Sequence, residues 1–137
     1  MANVLTAGSI SIADLVGDVV VRVPSDATVA MAAQTITEAE IGAVVVGDED
    51  RPAALLSERD VVGVIAARRD PAVVRAADVA STNLVWCEAS DTVEQVAGRM
   101  TDRHIRHILV GHAGALVGIV SARDLLGVYA AEADPEV

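Results

Sequence analysis

Hydrophobic positions along this chain follow two rhythms, which alternate in the same order twice. Short apolar runs predict strands: Val19-Val20-Val21-Arg22-Val23 and Asn83-Leu84-Val85-Trp86-Cys87 are rich in β-branched or apolar residues. The segments that follow carry apolar residues at helical spacing, namely Val29, Ala32, Ala33, Ile36 and Val93, Val96, Ala97, Met100. Asp26 and Asp91 stand ahead of these helices as expected N-caps, and Asp91 with Glu94 suggests a capping box. Ala43-Val44-Val45-Val46 and Ile108-Leu109-Val110 have no polar alternation, which predicts strands buried on both faces. Turns are expected at Gly47-Asp48-Glu49-Asp50 and Gly111-His112-Ala113-Gly114. Strands follow at Ala53-Ala54-Leu55-Leu56 and Leu116-Val117-Gly118-Ile119-Val120. A last helix starts at Ser57 or Ser121 and runs to the vicinity of Arg68 or Glu132. Each half therefore reads β-α-β-β-α, with 10–16 and 73–80 as short lead-in helices or linkers.

The halves are copies of one another. Displacing the chain by about 64 residues aligns it on itself without a gap. Thr28-Val29 then falls on Thr92-Val93, Ile41 on Ile105, and Val46-Gly47 on Val110-Gly111. Ser57, Arg59, Asp60 and Gly63 fall on Ser121, Arg123, Asp124 and Gly127. Roughly twenty of about 65 aligned pairs are identical, more than chance supplies. The expected repeats are 8–71 and 72–135. Each is small for an independent core, so the two should pack as one pseudo-symmetric domain of α/β (α+β) class.

Composition narrows what such a domain can do. The chain has 137 residues, 53% of them hydrophobic, but only one Trp, one Tyr and no Phe, so its core must be aliphatic. Ten Arg stand against twenty acids, for a formal charge of -10, and Lys is absent. That balance excludes general nucleic-acid or membrane-surface binding, which needs a basic face. No apolar run approaches the roughly 20 residues of a membrane span, and Met1-Ala2-Asn3-Val4-Leu5 has no basic stretch, so a secretory signal is not expected. With Cys87 the single cysteine, a reducing cytoplasmic location is expected.

The duplicated polar residues carry the chemistry. Leu56-Ser57-Glu58-Arg59-Asp60-Val61-Val62 and Val120-Ser121-Ala122-Arg123-Asp124-Leu125-Leu126 each deliver Ser and Asp from a strand to the first turn of a helix. Ser followed three residues later by an acid is close to a capping box, and capping alone accounts for both residues. It does not account for the repeated Arg. The same geometry suits a ligand: a helix start offers free N–H groups to phosphate, a carboxylate accepts vicinal ribose hydroxyls, and Arg forks onto phosphate oxygens. Nothing pairs a nucleophile with a general base, and neither G-x-G-x-x-G nor G-x-x-x-x-G-K-[ST] occurs, so enzymatic activity is not expected. His104, His107 and His112 read as surface or cleft residues rather than metal ligands, and Cys87 as a small apolar packer.

On these two motifs the chain resembles a stand-alone tandem pair of cystathionine β-synthase (CBS) domains. Ile41-Gly42-Ala43-Val44-Val45-Val46 and Ile105-Arg106-His107-Ile108-Leu109-Val110 look like that family's central strand motif, although Val45 and Leu109 stand where the family often has Pro. The resemblance implies a regulatory module that binds AMP, ADP, ATP or S-adenosylmethionine in clefts between the repeats, requires no cofactor or metal, and passes the signal to a protein partner. Asp60 and Asp124 would hold ribose, Ser57 and Ser121 ribose or phosphate, and Arg59 and Arg123 phosphates. The adenine side would come from the opposite repeat: Ile105, Arg106 and His107 facing Asp60, and Ile41, Gly42 and Ala43 facing Asp124. Arg106 and His107 would then give the Asp60 cleft the preference for more phosphorylated ligands. A homodimer through the helical faces is also implied. The rival readings are a ligand-free scaffold for dimerisation or protein binding, in which Ser57-Asp60 and Ser121-Asp124 are caps only, and an accessory chain that inhibits an enzyme in trans.

Overall fold

A computed structural model describes residues 6–16 and 19–133. Their order is a 3-10 turn (Ile12–Asp14), β1 (Arg22–Val23), α1 (Val29–Ala39), β2 (Ala43–Val46), β3 (Ala54–Ser57), α2 (Glu58–Ala66), α3 (Ala76–Val79), β4 (Trp86–Glu88), α4 (Val93–Arg103), β5 (His107–His112), β6 (Ala115–Ser121) and α5 (Ala122–Ala133). The class is mixed α+β. Its strands form two three-stranded sheets, β1-β2-β3 and β4-β5-β6. In each, the first pair is parallel and the second antiparallel. The predicted strands, helices and lead-ins are all present in the predicted order; β1 and β4 begin three residues later than expected, and β5 and β6 extend beyond both expected ends.

The central strands explain themselves. All four residues of β2 are buried, as are Ile108 to Gly111 of β5, matching their unbroken apolar character. Val44 and Val46 join Val23, Ala32, Ile36 and Leu56 in one aliphatic cluster. Ile108 and Val110 join Val93, Val96, Met100, Val120 and Leu125 in the other.

The helix starts differ from expectation, by two residues in α1 and by one in α4. Thr28 and Thr92, not Asp26 and Asp91, cap α1 and α4: their hydroxyls accept from the Met31 and Gln95 amides at 3.2 Å. The capping box of α4 is Thr92 with Gln95, whose Oε1 accepts the Thr92 amide at 2.9 Å. Asp91 is diverted into the preceding turn, where its carboxylate accepts the Glu88 amide at 2.9 Å and meets Arg99 at 3.4 Å. The second hairpin is also tighter than expected. β5 continues through Gly111 and His112, with an irregularity at Val110/Gly111, and the turn is left to Ala113 and Gly114 at φ 52 and 83.

Compact units and sequence repeats are offset. Among the described residues, Val20–Leu84 form one unit, and those before Val20 belong with those from Val85 onward. Each lead-in segment completes the other copy. The Val29 amide donates to the Val74 carbonyl at 2.8 Å, Ala30 to Pro71 at 2.8 Å, and Ala76 to Ala27 at 2.9 Å. The aligned bonds in the other unit are Val93 to Ile10 at 2.9 Å, Glu94 to Ala7 at 2.9 Å and Ile12 to Asp91 at 2.8 Å. A helix leaves its first amides without intrahelical partners, and here the borrowed lead-in carbonyls satisfy them. Ile12 and Ala76, also aligned, are both fully buried.

Gly118 in β6 is required by close approach, because a Cβ there would stand 2.7 Å from the Val16 Cβ. Gly98 in α4 faces nothing within 4 Å. We therefore expect Gly118→Ala to destabilise the protein by about 1–3 kcal/mol. Gly98→Ala should stabilise it by about 0.5–1 kcal/mol. Chemical denaturation of the two variants checks the opposite signs.

Candidate functional site

The two Ser-x-Arg-Asp turns sit where a paired strand hands over to a helix. β3 ends at Ser57, opposite Ala43 of β2, and β6 ends at Ser121, opposite His107 of β5. The first helical amide after each serine is taken at once. Glu58 donates to the Gly42 carbonyl at 3.0 Å and Ala122 to the Arg106 carbonyl at 2.8 Å.

The next contacts are reciprocal. The Ser57 amide donates to Asp60 Oδ2 at 2.9 Å, the Ser57 hydroxyl to the same oxygen at 3.1 Å, and the Asp60 amide to Ser57 Oγ at 3.3 Å. In the second copy the Ser121 amide donates to Asp124 Oδ2 at 2.8 Å and the Asp124 amide to Ser121 Oγ at 3.1 Å. Both turns are thus capping boxes. In each, Oδ2 is occupied and Oδ1 accepts no protein hydrogen bond among the described residues. Each carboxylate is held in one rotamer with one oxygen still available to accept.

The remaining candidates divide by role. Arg59 and Arg123 are exposed and make no hydrogen bond or ion pair among the described residues. Ile41 and Ile105 follow left-handed helix ends at Glu40 and His104, φ 55 and 54, and their amides reach back to Ile36 and Met100 at 3.1 Å. Both pack on the core of their own unit, as the apolar residue after such a helix end commonly does. Gly42 and Arg106 present backbone carbonyls to the next helix. Ala43 is buried as the first residue of β2, and His107 is half-buried as the first of β5. The structure therefore brings Ile41, Gly42 and Ala43 beside Ser57 and Asp60 of the same unit. It likewise brings Ile105, Arg106 and His107 beside Ser121 and Asp124.

Two features were not anticipated. Arg69, Val64, Ala67 and Val79 line an open recess together with Arg59 and Asp60. The sequence signal for Arg69 was weak: the pair Arg68-Arg69 just past a helix end resembles any solvated basic residues. Arg22, read only as part of a strand, staples the hairpin turn by donating to the Gly47 and Glu49 carbonyls, both at 3.0 Å.

Cys87 lies in β4 within an aliphatic cluster. Burial, reinforced by Asp91 and Glu88 and partly offset by Arg99, pushes its thiol up to about 11 from 9.0. Because the folded thiol holds its proton more tightly than the unfolded one, its contribution to stability is complete below pH 9 and is lost as the pH rises toward 11. Cys87→Ala should therefore flatten the alkaline loss of stability between those values. In the native protein iodoacetamide should label Cys87 no faster than the chain opens. Fast labelling at pH 8 would contradict its burial.

Comparison with known proteins agrees with this architecture. A family model for the CBS domain matches residues 8–67 and again 76–131. Hypoxic response protein 1 of Mycobacterium tuberculosis is 32% identical over 100 residues, covering 72% of this chain and 70% of that protein. Among solved structures, a CBS-domain protein from Burkholderia ambifaria superposes with a TM-score of 0.83 at 25% identity, over 93% of this chain and 97% of the other. A CBS domain protein from Pyrobaculum aerophilum, complexed with AMP, superposes with a TM-score of 0.78 at 29% identity, over 88% and 99%.

Proposed function

This chain belongs to the CBS domain family, and on that premise we propose that it is a regulatory module that binds adenosine nucleotides through its two Ser-x-Arg-Asp turns. The observation that carries the reading is the half-used carboxylate. At Asp60 and Asp124 the cap consumes Oδ2 and orients Oδ1, which suits acceptance from a ribose hydroxyl. Capping and ligand binding are therefore compatible uses of one side chain. Arg59 and Arg123, uncommitted within the fold, supply forked donors for phosphate. The Pyrobaculum relative's complex with AMP supports adenosine ligands as the class to test first.

In this reading the repeats 8–71 and 72–135 are the units of duplication. The central strand motifs, Ile41, Gly42 and Ala43 and their copies Ile105, Arg106 and His107, supply the adenine side. Regulation arises because a nucleotide binds two arrangements of the protein with unequal affinity. The signal then passes to a protein partner, and the module itself performs no catalysis. A second copy of the chain is the first partner we expect, through the helical faces. Val62 and Ile65 of α2 are 64% and 57% exposed, and the aligned Leu126 and Tyr129 of α5 are 66% and 36% exposed. Such matched apolar stripes suit a self-complementary interface. Among the described residues no helix is long and apolar enough to cross a membrane.

The test is a melt with AMP. At about 100 times its dissociation constant AMP should add about 2.7 kcal/mol of stability. Replacing both acids, Asp60→Asn with Asp124→Asn, leaves an oxygen for each serine amide but puts an NH₂ group where Oδ1 stands. The double variant should melt near the wild type without nucleotide and lose the gain with it. A wild type indifferent to AMP, or a double variant stabilised as strongly, would leave the turns as caps only.

A further inference from the structure

An open recess of about 410 Å³ lies within the unit formed by Val20–Leu84. That volume is within the range of small-molecule sites, about 300–1,000 Å³. Its apolar lining includes Val64, Ala67 and Val79, and its charged lining is Arg59, Asp60 and Arg69. Arg99 pairs with Asp91, and Arg22 is spent on two carbonyls. Arg59 and Arg69 do neither among the described residues, although they share the recess with Asp60, whose Oδ2 is already occupied by Ser57.

Arg69 is also fixed at its root. Arg68 adopts the left-handed conformation, φ 58, and the Arg69 amide returns to the Val64 carbonyl at 3.1 Å, closing the end of α2. The two arginines thus stand at opposite ends of one nine-residue helix, about 13 Å long. Two guanidinium groups lining one recess from opposite ends of a helix suit two or three phosphoryl groups in series better than one. We propose that this recess selects oligophosphates, holding the first phosphoryl group at Arg59 and the outer ones at Arg69. The proposal rests on the nucleotide reading of Asp60 for the sugar, and adds a specificity determinant that the duplicated motif does not contain. It is also one-sided: Arg59 aligns with Arg123, but Arg69 aligns with Ala133, so the other copy lacks the second fork.

Isothermal titration of the full chain and of Arg69→Ala with adenosine, AMP, ADP, ATP and inorganic pyrophosphate tests this. The wild type should bind ADP and ATP more tightly than AMP. Arg69→Ala should weaken ADP, ATP and pyrophosphate by about tenfold while leaving adenosine unchanged, and Arg69→Lys should restore part of the loss. The preference should also fall as salt is raised. If pyrophosphate binds and depends on Arg69 while no adenosine compound binds better than it does, the recess stands and the nucleotide reading fails. If AMP and adenosine bind but Arg69→Ala alters no preference, or lowers adenosine equally, the nucleotide reading stands and the recess proposal is overturned. Absence of binding by every phosphate compound overturns both.

Discussion

A carboxylate that closes back on the serine three residues before it governs both the start of each last helix and the chemistry offered there. Without that closure the strand-to-helix junction would leave amides unpaired and the acid free to rotate among its rotamers. With it, the acid is anchored through one oxygen to a strand already paired in a sheet, so the other oxygen has a fixed direction. Pre-orientation of this kind lowers the entropy a ligand must offset on binding. The arginine between serine and acid contributes nothing to the closure, which frees it for a partner from outside the chain.

The second constraint is the exchange of lead-in segments. A copy of the repeat taken in sequence would lack the carbonyls that satisfy its first long helix, since Val74 serves Val29 and Ile10 serves Val93. Neither repeat is therefore complete by itself. The two sequence repeats exchange their lead-in segments, and these segments carry buried anchors, Ile12 and Ala76, rather than acting as loose tethers.

Much of this was readable in the residues, for physical reasons. Val44, Val45 and Val46 admit no polar face, so a doubly buried strand follows from them directly. The repeat aligned Ser57 with Ser121 and Asp60 with Asp124 before any geometry was known, and duplicated polar residues at a helix start restrict the possible roles to few. Other features depended on competition that the sequence does not display. Asp91 and Thr92 are both good N-caps, and the threonine prevails because the aspartate is drawn into a turn with Glu88 and Arg99. Ile41 and Ile105 follow left-handed residues and pack against their own cores, a placement set by backbone conformation at Glu40 and His104 that the sequence does not display. Arg69 lines the recess only because Arg68 adopts a backbone conformation more often taken by glycine, and nothing in the local sequence announces it.

The claim at the centre of this account is that one carboxylate can cap a helix and hold a sugar at the same time. Amide NMR during an AMP titration examines it most directly, because the Ser57, Asp60, Ser121 and Asp124 amides report the cap and lie beside the free oxygen. The account predicts that these resonances shift saturably while their hydrogen exchange stays slow, so the cap persists as the ligand arrives. Unmoved resonances at millimolar AMP, or faster exchange of these amides on binding, would contradict it.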